Sequence, residues 1–341
     1  MTVKLAQELC LHRYRVSGLV LTSALRLPEL TPVHNRAITE ESEILVRLAE
    51  EGQRVPVVSD WFLTMKMPSG EPWLSCGVVT AGTRSTSGDG YLLRFPELAD
   101  FLVDARGREI TCQAWSGTEP ETLRHLLLNQ VLPLVLNLRG RDALHATAVL
   151  TPDGVCAFAG QAGAGKSTLA ASFLFSGYPV IGDDCLLLDE RDTRVVAIPA
   201  YPGIRLWEDA LEALYGAREG FPTVTHYAVK RRLLLPKQGE RFPTVPVPLA
   251  RIYCLEGPIA EHENDSIPSP SIRSLSRRDA FMHLLPCLFR FDIRDRAMLT
   301  RQFHFLDRLV AQIPVRQLLV PRNFSSLPAV REAVLTDLRT G

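Results

Sequence analysis

Lysine is scarce in this chain: of 38 basic residues only five are lysines, Lys4, Lys66, Lys166, Lys230 and Lys237. A preference for arginine accounts for the bias and makes each lysine a rarer choice. Net charge is missing as well, because 38 acidic residues balance the basic ones. Nucleic acid and anionic membranes, which select strongly basic surfaces, are therefore not expected as the main partners. A polyanion site, if there is one, has to be local. The seven cysteines (Cys10, Cys76, Cys112, Cys156, Cys185, Cys254, Cys287) lack any C-x-x-C spacing and sit mostly in apolar contexts, so they read as small buried residues in a reducing compartment. No apolar run reaches 18 residues, and the N-terminal residues carry no charged segment followed by an apolar one. These absences predict a soluble cytoplasmic protein.

With 341 residues, 46% of them apolar, the chain has material for two domains. Between residues 13 and 110 short runs rich in Val, Leu, Thr and aromatics alternate with turn formers, as in "YRVSGLVLTSALRLPEL" and "GREITCQAW". These runs predict hairpins of an antiparallel sheet. A β-rich module over 1–117 is expected, followed by a second domain over 118–341. Residues 119–140, "EPETLRHLLLNQVLPLVLNLRG", have helical apolar spacing and end at Gly140, so a helix joins the halves. Later, 256–277 reads as a polar surface loop, "DAFMHLLPCLFRF" and "RAMLTRQFHFLDRLVAQ" as helices, "VRQLLVP" as a strand, and "SSLPAVREAVLTDLR" as a helix with a serine cap.

The most informative stretch is Gly160-Gln161-Ala162-Gly163-Ala164-Gly165-Lys166-Ser167-Thr168, which fits G-x-x-x-x-G-K-[ST]. It follows the apolar strand "VCAFAG" and opens the helix "STLAASFLFSG". Strand, glycine loop and helix N-terminus in that order can surround a polyphosphate with backbone N–H groups. In such a P-loop Lys166 spans phosphate oxygens, and the Ser167 hydroxyl binds Mg²⁺ beside ATP or another nucleoside triphosphate. Downstream, "CLLLDE" imitates a second carboxylate motif, yet "DERDT" reads as a hairpin turn, which gives Asp189 and Glu190 a structural role. Asp183 and Asp184 end the strand "YPVIG" at the edge where the phosphates should lie. His145 begins the strand that pairs with the P-loop strand.

His145, the loop at Gly160 and the Asp183-Asp184 pair, carried by "LHATAVL", "GQAGAGKST" and "VIGDD", resemble bacterial HPr kinase/phosphorylase in order and spacing. The wider chain, through "YPGIRLW" and "KRRLLLP", looks like the HPr-kinase-like proteins that include kinases tailoring ribosomal peptides such as lasso peptides. The N-terminal half does not resemble the sensor domain of HPr kinases. The resemblance implies an α/β fold, a phosphoenolpyruvate-carboxykinase-like mixed sheet carrying the P-loop, beside the β-rich module. It also implies transfer of phosphate from ATP to a serine of a peptide or protein. Asp184 then matches the proton acceptor, His145 the active-site histidine, Lys166 and Ser167 the phosphate and metal contacts, and Asp183 a group orienting Mg²⁺ or the incoming hydroxyl.

Arg205, Lys230, Arg231 and Arg232 are further candidates for clamping a phosphate or a peptide carboxylate, since guanidinium forks suit both. The alternative for each is a solvated strand-end charge. Asp209 is either a second metal contact or the acidic first turn of "WEDALEALYG". His283 and His304 sit in helical apolar stretches and are expected to pack, and no zinc-ligand spacing occurs. Two other readings stay open: a kinase for a small hydroxylated molecule, and a nucleotide-binding regulatory module that transfers nothing. The sequence leaves the oligomeric state open, a homo-oligomer included.

Overall fold

Alternating apolar and polar residues fold the first part of the chain into nine strands: β1 (His12–Val16), β2 (Leu19–Ser23), β3 (Thr31–Pro32), β4 (Glu43–Leu48), β5 (Asp60–Lys66), β6 (Pro72–Val79), β7 (Gly90–Phe95), β8 (Ala99–Asp104) and β9 (Glu109–Ala114). The computed structural model describes residues 11–33, 43–50, 53, 55–67, 69–80, 89–216, 223–225, 228–234, 242–259, 269–321 and 323–340. Its chain divides into two units, Met1–Leu127 and Leu128–Gly341. The nine strands form one sheet in the order β3-β1-β2-β4-β9-β8-β7-β6-β5. The sheet is mixed and not antiparallel throughout, because β4 runs parallel to both β2 and β9. Apolar runs mark strands but not their partners, and the long segments before and after β4 supply the crossovers that parallel pairing needs.

The helix expected over 119–140 is interrupted. An α-helix, α1 (Pro120–Leu126), gives way to a π turn over Leu127–Val131 and then to α2 (Leu132–Leu138). Pro133 has no N–H to donate one turn back, so the backbone widens just before it. Gly140, in the left-handed conformation at φ 72°, follows the last turn.

The second unit continues with β10 (Ala143–Leu144), β11 (Ala146–Thr151), β12 (Gly154–Ala159), α3 (Lys166–Phe175), β13 (Val180–Gly182), β14 (Leu186–Arg191), β15 (Arg194–Ile198), β16 (Gly203–Trp207), α4 (Glu208–Tyr215), β17 (Thr223–Thr225), β18 (Ala228–Leu234), β19 (Val247–Ile259), β20 (Ser271–Ser274), α5 (Arg277–Leu284), α6 (Arg296–Gln312), β21 (Val315–Pro321) and α7 (Leu327–Thr340). Its main sheet runs β10-β14-β15-β19-β12-β11-β13, with β21 beside β19 and β20 beside β21; β16-β18-β17 form a separate small sheet. The fold is thus mixed α/β. Successive residues of the central strands feed two cores on opposite faces. Ala157, Ala159 and Cys254 pack with Leu284, Leu306 and Leu309 of α5 and α6. Phe158 and Tyr253 pack on the other side with Phe173, Val330 and Val334 of α3 and α7. Each buried aromatic of that second core is worth about 3 to 5 kcal/mol against truncation to alanine.

Several local expectations change. The stretch 256–277 is not one loop: β19 extends to Ile259, Ser271–Ser274 pairs with β21, and helix α5 starts at Arg277; residues 260–268 lie outside the described ones. The helix in "DAFMHLLPCLFRF" stops earlier, as α5 tightens into a 3-10 turn at Leu285–Cys287 around Pro286, and Leu288 then bridges to Leu144. Asn323 caps the 3-10 turn Phe324–Ser326 that leads into α7, its side chain accepting from Ser325 N at 2.9 Å. The Ser326 hydroxyl instead donates to Asn323 O.

The six described cysteines are free and buried. Burial pushes the thiols of Cys112, Cys185 and Cys254 up to about 12. In native protein these thiols are therefore expected to alkylate slowly with iodoacetamide at about pH 8, and rapidly once unfolded; Cys10 lies outside the described residues. Because the ordinary value, 9.0, is lower, the stability these thiols contribute is complete below it and declines as pH rises toward about 12. Rapid labelling of native protein at these positions would contradict that burial.

Candidate functional site

The glycine loop occupies the turn between β12 and α3. Gly160 has φ 149°, and a Cβ there would lie 2.9 Å from Leu255 O, so a side chain would displace the neighbouring strand. Gly165 precedes α3 at φ 90°, with nothing within 4 Å of a Cβ position. No side chain caps the helix. Its first N–H groups and the positive end of its dipole are left to the loop's open side. Gln161, Ala162 and Gly163 are exposed, whereas Lys166 is buried and folds back so that its ammonium donates to Gly160 O and Gln161 O, both at 2.9 Å.

Register brings the carboxylates to this loop. In the β11–β13 pairing Ala148 stands opposite Gly182, so one step further Asp183 lies beside Thr147. Asp183 is buried and accepts from three elements. The hydroxyls of Thr147 and Ser167 each donate to Oδ1 at 2.8 Å, and the Arg205 backbone N–H donates to Oδ2 at 3.0 Å. Arg205 Nε lies 3.5 Å from the same Oδ2. Asp184 is more open and takes the left-handed conformation at φ 65°, which an aspartate tolerates better than most residues. Arg205 Nη2 donates to its Oδ2, and His145 Nε2 stands 3.6 Å from its Oδ1. The backbone N–H of His145 donates to Cys287 O at 2.6 Å, and its ring lies 6.0 Å from that of Phe289.

A buried amide network holds that last segment. Asn137 Nδ2 and Gln302 Nε2 both donate to Phe289 O, and Gln302 Nε2 also donates to Asn137 Oδ1. Arg301 pairs with Asp142 alongside. Two carbonyl groups, Cys287 O at the end of the 3-10 turn and Phe289 O just after it, thereby tie this segment to His145, α2 and α6.

Of the residues expected at the site, the structure brings together His145, Lys166, Ser167, Asp183, Asp184 and Arg205 around the loop Gly160–Thr168. Arg205 is buried between the carboxylates and is no solvated strand-end charge. Strand register divides the basic run of β18. Arg232 stands opposite Arg205, whereas Arg231 stands opposite the core residue Leu206 and binds Glu208 through Nη2 at 2.6 Å. Lys230 is opposite Trp207 along the backbone, and its side chain lies outside the described residues. Asp209 is exposed and accepts from Ala210 N in the first turn of α4. Asp189 and Glu190 lie in β14, whose hairpin to β15 turns at Asp192-Thr193; they pair with Arg191 and Arg308. His304 is exposed and does not pack as expected. Thr147 was missed from sequence, although a hydroxyl two residues after His145 in an apolar strand was its signal.

No cluster of three or more His, Cys, Asp or Glu side chains suited to a metal occurs among the described residues. Ser167 and Asp183 nonetheless form a pair of hard oxygen donors at the loop, the small protein contribution that Mg²⁺ accepts when phosphates supply the rest. Among the described residues no helix is long and apolar enough to cross a membrane. No family model and no curated protein matches the chain. It is similar to the solved structure of the Hpr(Ser) kinase/phosphatase from Coxiella burnetii, with 13% identity over 58% of this chain and 97% of that one, at a TM-score of 0.31.

Proposed function

We propose that this protein is an ATP- and Mg²⁺-dependent kinase that transfers the γ-phosphate to a serine hydroxyl of a peptide or protein. The observation that supports the reading best is the Ser167 Oγ–Asp183 Oδ1 hydrogen bond of 2.8 Å at the glycine loop, with Asp184 the next residue. In P-loop enzymes a hydroxyl and a carboxylate in this relation hold the magnesium ion, which when bound neutralises charge on the phosphates. The N–H groups of the loop and of the first turn of α3 would receive phosphate oxygens. Lys166 would exchange its two carbonyl partners for the same oxygens.

Asp184 is the base in this scheme. Its Oδ2 is engaged by Arg205, which leaves Oδ1, beside His145, for the acceptor hydroxyl. The serine oxygen forms a bond to the γ-phosphorus as the bond to the bridging oxygen of ADP breaks. ADP leaves with that electron pair, and the serine proton passes to Asp184. One positioned carboxylate suffices, because phosphoryl transfer depends chiefly on alignment and charge neutralisation. The serine acceptor is supported by the order of His145, glycine loop and Asp pair, which resembles that of HPr kinases.

The test is incubation with γ-labelled ATP, Mg²⁺ and a panel of serine-bearing peptides, with products resolved by mass. Label on a peptide serine is the expected result. Label on small hydroxylated compounds alone would replace the acceptor class, and ATP bound without any transfer would leave a regulatory nucleotide-binding module.

A further inference from the structure

We propose that Thr147 is a positioning residue for the metal, holding Asp183 in the orientation in which it and Ser167 receive the divalent cation. The inference rests on the kinase reading above and concerns this chain's own hydrogen bonds. Thr147 has no solvent exposure and lies in β11 among Ala146, Ala148 and Val149. A valine would fill that volume and suit the strand without needing a hydrogen bond. Burying a hydroxyl there is unfavourable unless it is paired, and its pairing is to Asp183 Oδ1.

Asp183 follows β13 in a bend, so its own backbone does little to fix its side chain. Its donors come from β11, α3 and β16, and each does a separate task. Arg205 binds Oδ2 and also reaches Asp184; Ser167 belongs to the glycine loop. Of the three, Thr147 alone lies in the main sheet, and it has no other assignment at the site. When Ser167 turns its oxygen to a cation, Thr147 keeps Oδ1 from rotating away. Groups that orient metal ligands in this way change metal affinity by about 10- to 100-fold when removed.

The measurement is Mn²⁺ affinity of the full chain saturated with a non-hydrolysable ATP analogue, read from the spin-resonance signal of free Mn²⁺. Binding of the analogue in chelator is measured in parallel. Thr147→Val is expected to weaken Mn²⁺ binding about 10-fold and leave metal-free nucleotide binding unchanged, whereas Thr147→Ser is expected to behave as wild type. If Thr147→Val does not fold, the pair Thr147→Ser and Thr147→Ala carries the comparison, since both lose the methyl and only one loses the hydroxyl. Equal Mn²⁺ affinity with and without the hydroxyl overturns the proposal while leaving the kinase reading intact. So does an equal loss in Thr147→Ser, which would assign the effect to packing. Absence of nucleotide binding in the wild type would overturn both.

Discussion

Asp184→Asn is expected to lower phosphoryl transfer by about 10²- to 10⁴-fold while leaving ATP affinity nearly intact. The substitution keeps the size of the side chain, and an amide oxygen can still accept from Arg205 Nη2, the present partner of Oδ2. The groups proposed to face the phosphates, Lys166, Ser167 and the start of α3, are untouched. In the proposed scheme, what disappears is the group that takes the serine proton at the Oδ1 position near His145. Parallel measurement of kcat and of the equilibrium constant for nucleotide separates the two effects. Turnover that survives in the variant would remove Asp184 from the mechanism, and loss of both together would make it part of the nucleotide site.

The second large effect falls on stability. Arg205 is buried and joins Asp183 to Asp184. Arg205→Met keeps much of the apolar stem but leaves two adjacent carboxylates without their shared cation. Breaking a buried ion pair from one side costs about 3 to 5 kcal/mol, because the remaining charge is still desolvated. For a unit of this size, that is a melting temperature lower by about 10 °C. Adding Asp184→Asn to Arg205→Met removes one of the stranded charges and is expected to recover part of the loss. Thermal melts of the two single variants and the double variant test this, and an unchanged melt in Arg205→Met would show that the cluster tolerates its own repulsion.

Legibility from sequence varied with how local each feature is. The helix of "RAMLTRQFHFLDRLVAQ" appears over Arg296–Gln312, where apolar spacing of about 3.6 and the Asp295 cap act within the segment. The strand Ser271–Ser274 was hidden in a polar stretch, because an exposed edge strand has no alternation to betray it and exists through its pairing with β21. The parallel partners of β4 were hidden for the same reason, since pairing is a relation between distant segments. Burial of His304 was overestimated because a helical apolar stretch also has an outer face.

The sequence by itself determined the strand, glycine loop and helix that present backbone N–H groups, because glycine conformations, strand patterning and helix starts are set within a few residues. It also determined that two carboxylates follow that helix. Only the tertiary structure decided how they are used: the β11–β13 register puts Thr147 on Asp183, and the left-handed turn at Asp184 sends the neighbouring carboxylate toward His145. Alternation along β18 likewise set Arg232 and not Arg231 across from Arg205. Side-chain direction in a sheet reverses with every residue, so a one-step difference in pairing, invisible in the sequence, chooses which charge shares a face with Arg205.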